Sequence, residues 1–223
     1  MKKNKKTKEK KVVRPQSMGE EIANAITHGV GTLLAIAGCV IAIVYAAAFG
    51  DGRSVVSASL YGSGLIVLYL FSTLYHSLTN PKAKKVFKIF DHCSIFILIL
   101  SSYIPICLSL LRGALGWTLF GINAGCTILG IVFNSINLEK WKGASLVLYI
   151  IMGWSVVFVC SPVFAAVPAA GIALLVAGGI AYTVGVIFYK LTKYKYMHSI
   201  WHLFVLAGSV LHFFFILFYT LKR

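Results

Sequence analysis

HSIWHLFVLAGSVLHFFFILFYT, residues 198–220, contains no Asp, Glu, Lys or Arg. A helix needs about 20 largely apolar residues to cross a hydrocarbon core of about 30 Å, and this stretch is long enough. Six more runs of the same kind precede it, at approximately 22–48, 54–78, 89–110, 117–136, 145–164 and 168–189. Short polar or Gly/Pro gaps separate them: Asp51-Gly52-Arg53, Asn80 to Lys88, Arg112-Gly113, Glu139 to Gly143, Val163 to Pro168, and Lys190 to Lys195. Within lipid each backbone polar group must be satisfied inside its own segment, which favours helices. The runs therefore predict an all-α integral membrane protein, a bundle of seven transmembrane helices spanning 18–223, with no room for a soluble domain.

Composition agrees. The chain of 223 residues is 59% hydrophobic and 12% charged, where a soluble domain is roughly 25% charged. Its net charge of +15 resembles a nucleic-acid footprint only until the basic residues are located. Eight of the 21 Lys and Arg precede Pro15, and nearly all the others lie in the gaps between runs, a pattern that sets membrane orientation. On alternating sides, the tail, Lys82 to Lys88, Lys140 with Lys142, and Lys190 to Lys195 hold 17 against 4. The excess puts the N-terminus in the cytoplasm and, after seven crossings, the C-terminus outside. Residues 1–17 form a basic cytoplasmic tail expected to be disordered. The first 15 residues are too charged to contain a signal-peptide apolar core, so the first helix is expected to remain uncleaved. The five cysteines stand singly in apolar stretches and read as small buried hydrophobes rather than a disulfide framework.

Ionisable groups inside membrane segments are costly and default to functional candidates. His28 falls near the start of the first run, His76 at the end of the second, Asp91 and His92 at the start of the third, and His198 and His202 in the first turns of the seventh. With the orientation above, all lie at the cytoplasmic end. One such residue alone reads equally well as a side chain snorkelling to the interface, but groups from four segments at one depth suit a single site. Residues three or four apart share a helix face, so His198-x-x-x-His202 forms a two-pronged imidazole clamp, and Ser72 shares a stripe with His76. Three imidazoles without cysteine suit zinc, and three protein ligands with a fourth position left for water is the catalytic arrangement. Asp91 is placed to hydrogen-bond and deprotonate that water, while His92 points about 100° away. Glu21, Asn24 and His28 form a polar stripe with two open readings: capping and interface, or partners of the site. His212 lies about 15 Å beyond His202, too far for a ligand but suited to lining a cavity. The stretches Gly29 to Gly31, Gly62 to Gly64, and Gly178-Gly179 with Gly185 read as close helix packing.

Several motifs occur in order: Glu21-Ile22-Ala23-Asn24-Ala25-Ile26-Thr27-His28-Gly29, Ser72-Thr73-Leu74-Tyr75-His76-Ser77, Asp91-His92, Met152-Gly153-Trp154, and His198-Ser199-Ile200-Trp201-His202-Leu203-Phe204. From about Met18 onward the chain resembles the bacterial hemolysin III branch of the progestin and adipoQ receptor family, which is related to the alkaline ceramidases. The resemblance implies a seven-helix bundle in the bacterial cytoplasmic membrane with a zinc ion near its cytoplasmic face. Carried over by position, it implies His76, His198 and His202 as ligands, Asp91 holding the zinc-bound water, and Ser72 as a hydroxyl beside the metal. Ser101-Ser102-Tyr103-Ile104-Pro105 departs from the Gly-Thr-Tyr-Thr-Pro type expected in bacterial relatives, which bears on packing near a kink at Pro105 rather than on the metal.

Three functions compete. The first is a zinc-dependent hydrolase of a lipid amide bond, of ceramide type, with Asp91 as general base and then proton donor. The second is a non-enzymatic membrane-homeostasis protein or sensor with structural zinc. The third is cytolytic pore formation, for which the sequence offers no amphipathic pore segment. The expected partner is a membrane lipid, with no nucleic acid and no protein partner implied.

Overall fold

The computed structural model describes residues 14–222, and the expected disorder of the basic tail falls largely outside them. Helix α1 (Met18–Phe49) begins at a capping box in which Ser17 accepts from the Glu20 backbone and the Glu20 side chain accepts from the Ser17 backbone. This satisfies two backbone donors that a helix start otherwise leaves unpaired. Helix α2 (Gly52–Ser77) is capped by Asp51, and α3 (Pro81–Pro105) by Asn80, with Pro81 in its first turn. The Lys82 to Lys88 segment, read from the sequence as a gap, is thus the opening of α3. Proline at the first helical position is preorganised for the helix, and Lys is a good helix former. Asp91 accordingly lies in the third turn of α3 rather than at its start. After Pro105 the helix widens into a π-type turn, Ile106–Leu111.

Next come α4 (Gly113–Gly153), a 3₁₀ turn (Ser155–Val159), α5 (Cys160–Ala166), α6 (Ala169–Lys190) and α7 (Met197–Tyr219). Helix α4 is interrupted at Asn137, which has φ −161° and ψ 90° and whose side chain accepts from Lys140 N at 3.0 Å. Residues Glu139 to Gly143, expected to be a loop, are helical; the break lies two residues earlier, where an asparagine caps the second arm. The arms fold back on each other. Asn123 Nδ2 donates to Ser155 Oγ at 3.0 Å and Ser145 Oγ to Asn134 Oδ1 at 2.6 Å, whereas residues 123 and 155 would stand about 48 Å apart along a straight helix.

Among the described residues six helical stretches are long and apolar enough to cross a membrane, the longest being this doubled segment, Gly113–Ala166. Among the described residues there is no strand. The burial pattern is inverted relative to a soluble protein. Asn24, Asn123, Asn134 and His202 are fully buried, while Leu33, Ile136 and Phe158 are exposed. Such an exterior suits hydrocarbon, and the chain is a multi-pass membrane protein.

The buried face of α1 runs Glu20, Asn24, His28, Gly31, Ala35, Gly38, Ala42 and Ala46, polar at one end and small thereafter. Small residues let helix backbones approach. A Cβ on Gly62 would collide with Cys39, and one on Gly31 with the Tyr69 ring. Helix α1 packs on α2 and α7, α3 on α2 and α4, and α6 chiefly on α7. These contacts bring the end of α2 to the start of α7. All five cysteines are free; Cys93 and Cys107 are buried, whereas Cys39, Cys126 and Cys160 are only partly so.

Candidate metal centre

His76 reaches the bundle interior from the last turn of α2, and His198 and His202 from the first two turns of α7. One ligand nitrogen from each lies within 4.8 Å of the other two. The Nε2 atoms of all three are buried without a hydrogen-bond partner. Three unpaired buried polar atoms would be costly unless something binds them, so this donor set fits a metal ion.

At His76 and His202 the other ring nitrogen is engaged in a way that fixes this arrangement. His76 Nδ1 lies 2.7 Å from Glu21 Oε2, and Lys84 Nζ sits 3.1 Å from the other carboxylate oxygen. A carboxylate accepts, so His76 carries its proton on Nδ1 and presents a lone pair at Nε2. His202 Nδ1 lies 3.3 Å from Thr27 Oγ1. That hydroxyl has the Ala23 and Asn24 carbonyls at 2.9 Å to donate to, so it accepts from His202 and again frees Nε2. Metal-bound histidines are commonly oriented through the second nitrogen in this way.

Asn24 ties the helix starts together: it donates to Gln16 Oε1 at 2.7 Å and accepts from Ser199 Oγ at 2.6 Å. Glu20 accepts from Arg14 at 2.6 Å and from Tyr196 N at 2.8 Å, and Tyr196, with φ 62°, precedes α7. Of the α1 stripe, Glu21 and Asn24 therefore contact the site or its supports. His28 instead stacks on His202, with ring centroids 3.5 Å apart and planes 10° from parallel, and neither of its nitrogens has a partner. Sequence reading did not single out Thr27, Gln16, Ser199 or Lys84. Thr27 and Ser199 stood inside quoted motifs, Lys84 in a basic gap and Gln16 in the basic tail, each without any role.

Asp91 is buried and lies outside the imidazole cluster but close enough to act electrostatically on His28, His76 and His198. Its Oδ2 is 3.4 Å from His92 Nδ1, and that nitrogen bonds the Lys88 carbonyl at 2.9 Å. Ser72, one turn before His76, stands beside the Asp91 carboxylate, and its hydroxyl is buried without a hydrogen bond.

Two hollows flank the triad. On the α1–α2 side one of about 510 Å³ is lined by Gln16, Glu21, His76 and Lys84. Inside the bundle a cavity of about 200 Å³ starts at His28, Asp91 and Trp201 and continues past Ile99, Leu175 and Val205 to Ile216. Trp201 and Ile216 are fifteen residues apart on α7, about 22 Å. The cavity is thus an elongated channel along much of α7, lined mostly by apolar side chains. Phe164 and Val176 line it from α5 and α6 and are themselves exposed.

The chain matches the profile of the family described as haemolysin-III related across residues 16–213. It belongs to that family. Hemolysin-3 of Bacillus cereus is 46% identical over 213 residues, covering 96% of this chain and 97% of that protein. The hemolysin-3 homolog of Bacillus subtilis (strain 168) is 44% identical over 203 residues, covering 91% and 95%. The monocyte to macrophage differentiation factor of Homo sapiens is 30% identical over 205 residues, covering 87% and 82%. Together they put the chain in the hemolysin III branch of the progestin and adipoQ receptor family. No solved structure matches it significantly.

Proposed function

We propose that this hemolysin III protein is a zinc-dependent hydrolase of a lipid amide bond in the bacterial cytoplasmic membrane. It would cross the membrane seven times, with the N-terminus in the cytoplasm and the C-terminus outside. Three unpaired Nε2 atoms, and an apolar channel whose polar end is lined by Asp91 and by His28, the ring stacked on His202, carry this reading. The fold-back at Asn137 supports two crossings within Gly113–Ala166, and the distribution of basic residues supports the orientation. A reporter after Arg223 should read as external and one in Lys190 to Lys195 as cytoplasmic; a cytoplasmic C-terminus would overturn the topology.

His76, His198 and His202 would hold the zinc, with Glu21 and Thr27 fixing two of the rings. Bound there, zinc supplies a Lewis acid for an acyl carbonyl and lowers the pKa of a water to about 7. The channel takes the acyl chain and excludes bulk water. Asp91 accepts a proton from the attacking water as its oxygen bonds the acyl carbon, then returns it to the leaving nitrogen as the C–N bond breaks. Ser72 offers its unspent hydroxyl hydrogen to the acyl oxygen. Net, one amide and one water give one acid and one amine, and Asp91 ends as it began.

The name of the Bacillus cereus relative raises cytolysis, but the apolar exterior suits a protein resident in its own membrane, and leakage from liposomes would test for lysis. A membrane-homeostasis role with structural zinc would share the metal centre without needing Asp91 to carry protons. Lipid profiling of a deletion strain complemented with wild type or His202→Ala tests the hydrolase: one amide lipid should accumulate in the deletion and the variant alike. An unchanged lipid profile in both would overturn the reading.

A further inference from the structure

His212 stands on α7 ten residues past His202, about 15 Å along the axis, where it lines the channel among apolar side chains. Its Nε2 lies 3.0 Å from the Leu175 carbonyl. A carbonyl only accepts, so Nε2 carries the hydrogen, and Nδ1 of the neutral ring keeps a lone pair. The surroundings hold the ring in this pose. A Cβ on Gly178 would overlap it, and Tyr182 packs its edge against it with centroids 5.4 Å apart. Tyr182 itself is tied to Ser209 Oγ at 2.8 Å, which Tyr69 also reaches at 2.7 Å. Other polar groups along the wall have spent their hydrogens on backbone: Ser102 on Leu98, Tyr103 on Gly153 and Thr183 on Gly179. A leucine would fill the same space without the cost of an unpaired lone pair in an apolar channel.

We propose that His212 forms a second polar station of the lipid site, where Nδ1 accepts a hydrogen bond from a hydroxyl carried within the acyl chain. This rests on the reading of the channel as the acyl-chain site. An extended chain advances roughly 1.2 Å per bond, as the three-bond repeat of about 3.5 Å in an extended backbone implies. The separation of about 15 Å from His202 along α7 therefore puts the hydroxyl about twelve bonds from the polar end. The ligand class is a lipid with a mid-chain hydroxylated acyl group.

The test uses the purified full-length protein in detergent, with quenching of the fluorescence of Trp154 and Trp201, which line the channel, as the readout. The probes are stearate, 2-hydroxystearate, 12-hydroxystearate and 12-oxostearate. Wild type should bind 12-hydroxystearate about tenfold more tightly than the other three, the effect of one net hydrogen bond. The 12-oxo compound keeps chain and polar atom but lacks the donor. His212→Leu should bind 12-hydroxystearate no more tightly than it binds stearate, while His212→Gln, which keeps an acceptor, should retain part of the preference. Equal binding of all four probes by wild type would leave the channel standing and overturn the station. Binding of none would overturn the channel and the station with it. The wild-type comparison decides even if His212→Leu fails to fold.

Discussion

His202 and His212 stand on the same helix, in the same bundle interior, and are held in opposite ways. His202 gives Nδ1 to Thr27 and leaves Nε2 facing His76 and His198, whereas His212 gives Nε2 to the Leu175 carbonyl and leaves Nδ1. Near His202 two further imidazoles crowd within ligand distance; near His212 stand the Tyr182 ring and Gly178, in a stretch of channel lined mostly by apolar side chains. The residue type is the same, and the neighbours decide which nitrogen is offered and to what. Several imidazole lone pairs converging on one point suit a cation, while a lone pair standing singly suits a hydrogen-bond donor.

The comparison is most sharply tested by metal content. Purified wild type should contain about one zinc per chain, the stoichiometry of a three-histidine site. His76→Ala, His198→Ala and His202→Ala should each reduce it to background, and His212→Ala should leave it unchanged. Equal zinc in all four variants would remove the distinction and the centre with it.

Next in size is Asp91→Asn. If the carboxylate moves protons rather than binding metal, the variant should keep its zinc and lose about 10² to 10⁴ in turnover, the usual value of a general base. Zinc and complementation measured on the same variant separate the alternatives. Full complementation would favour the structural-zinc role, and loss of metal would make Asp91 a ligand.

The smallest effect belongs to the groups behind the ligands. Thr27→Val removes the acceptor that fixes the His202 ring, and its metal affinity should fall about 10- to 100-fold, as for other partners of ligating histidines. Excess zinc should restore activity in this variant but not in His202→Ala. An affinity unchanged by Thr27→Val would mean that packing against His28 alone orients His202.

Much of the arrangement was legible because it is local. Apolar length marks a spanning segment, and the His198 to His202 interval places two rings on one face, so His76, His198 and His202 as one group that could hold a metal, with His212 outside it, could be read from the sequence. The resemblance of the ordered motifs gave the family. Boundaries were less legible: Lys82 to Lys88 and Glu139 to Gly143 looked like loops because they are charged, yet both are helical, since charge marks where a segment meets water rather than where a helix ends. The break fell instead at Asn137.

What tertiary structure alone decided is which atoms meet across helices. Thr27 meets His202 over a separation of 175 residues, Ser199 meets Asn24 over the same number, and His28 stacks on His202. None of these pairs has a period or an interval to betray it. The sequence determined that the chain is built of apolar segments suited to hydrocarbon and which polar residues they carry, because solvent preference is a property of each segment. The choice of nitrogen at His76, His202 and His212 and the apolar channel down to Ile216 were set by packing between segments, because a hydrogen bond or a cavity exists only once two surfaces are brought together.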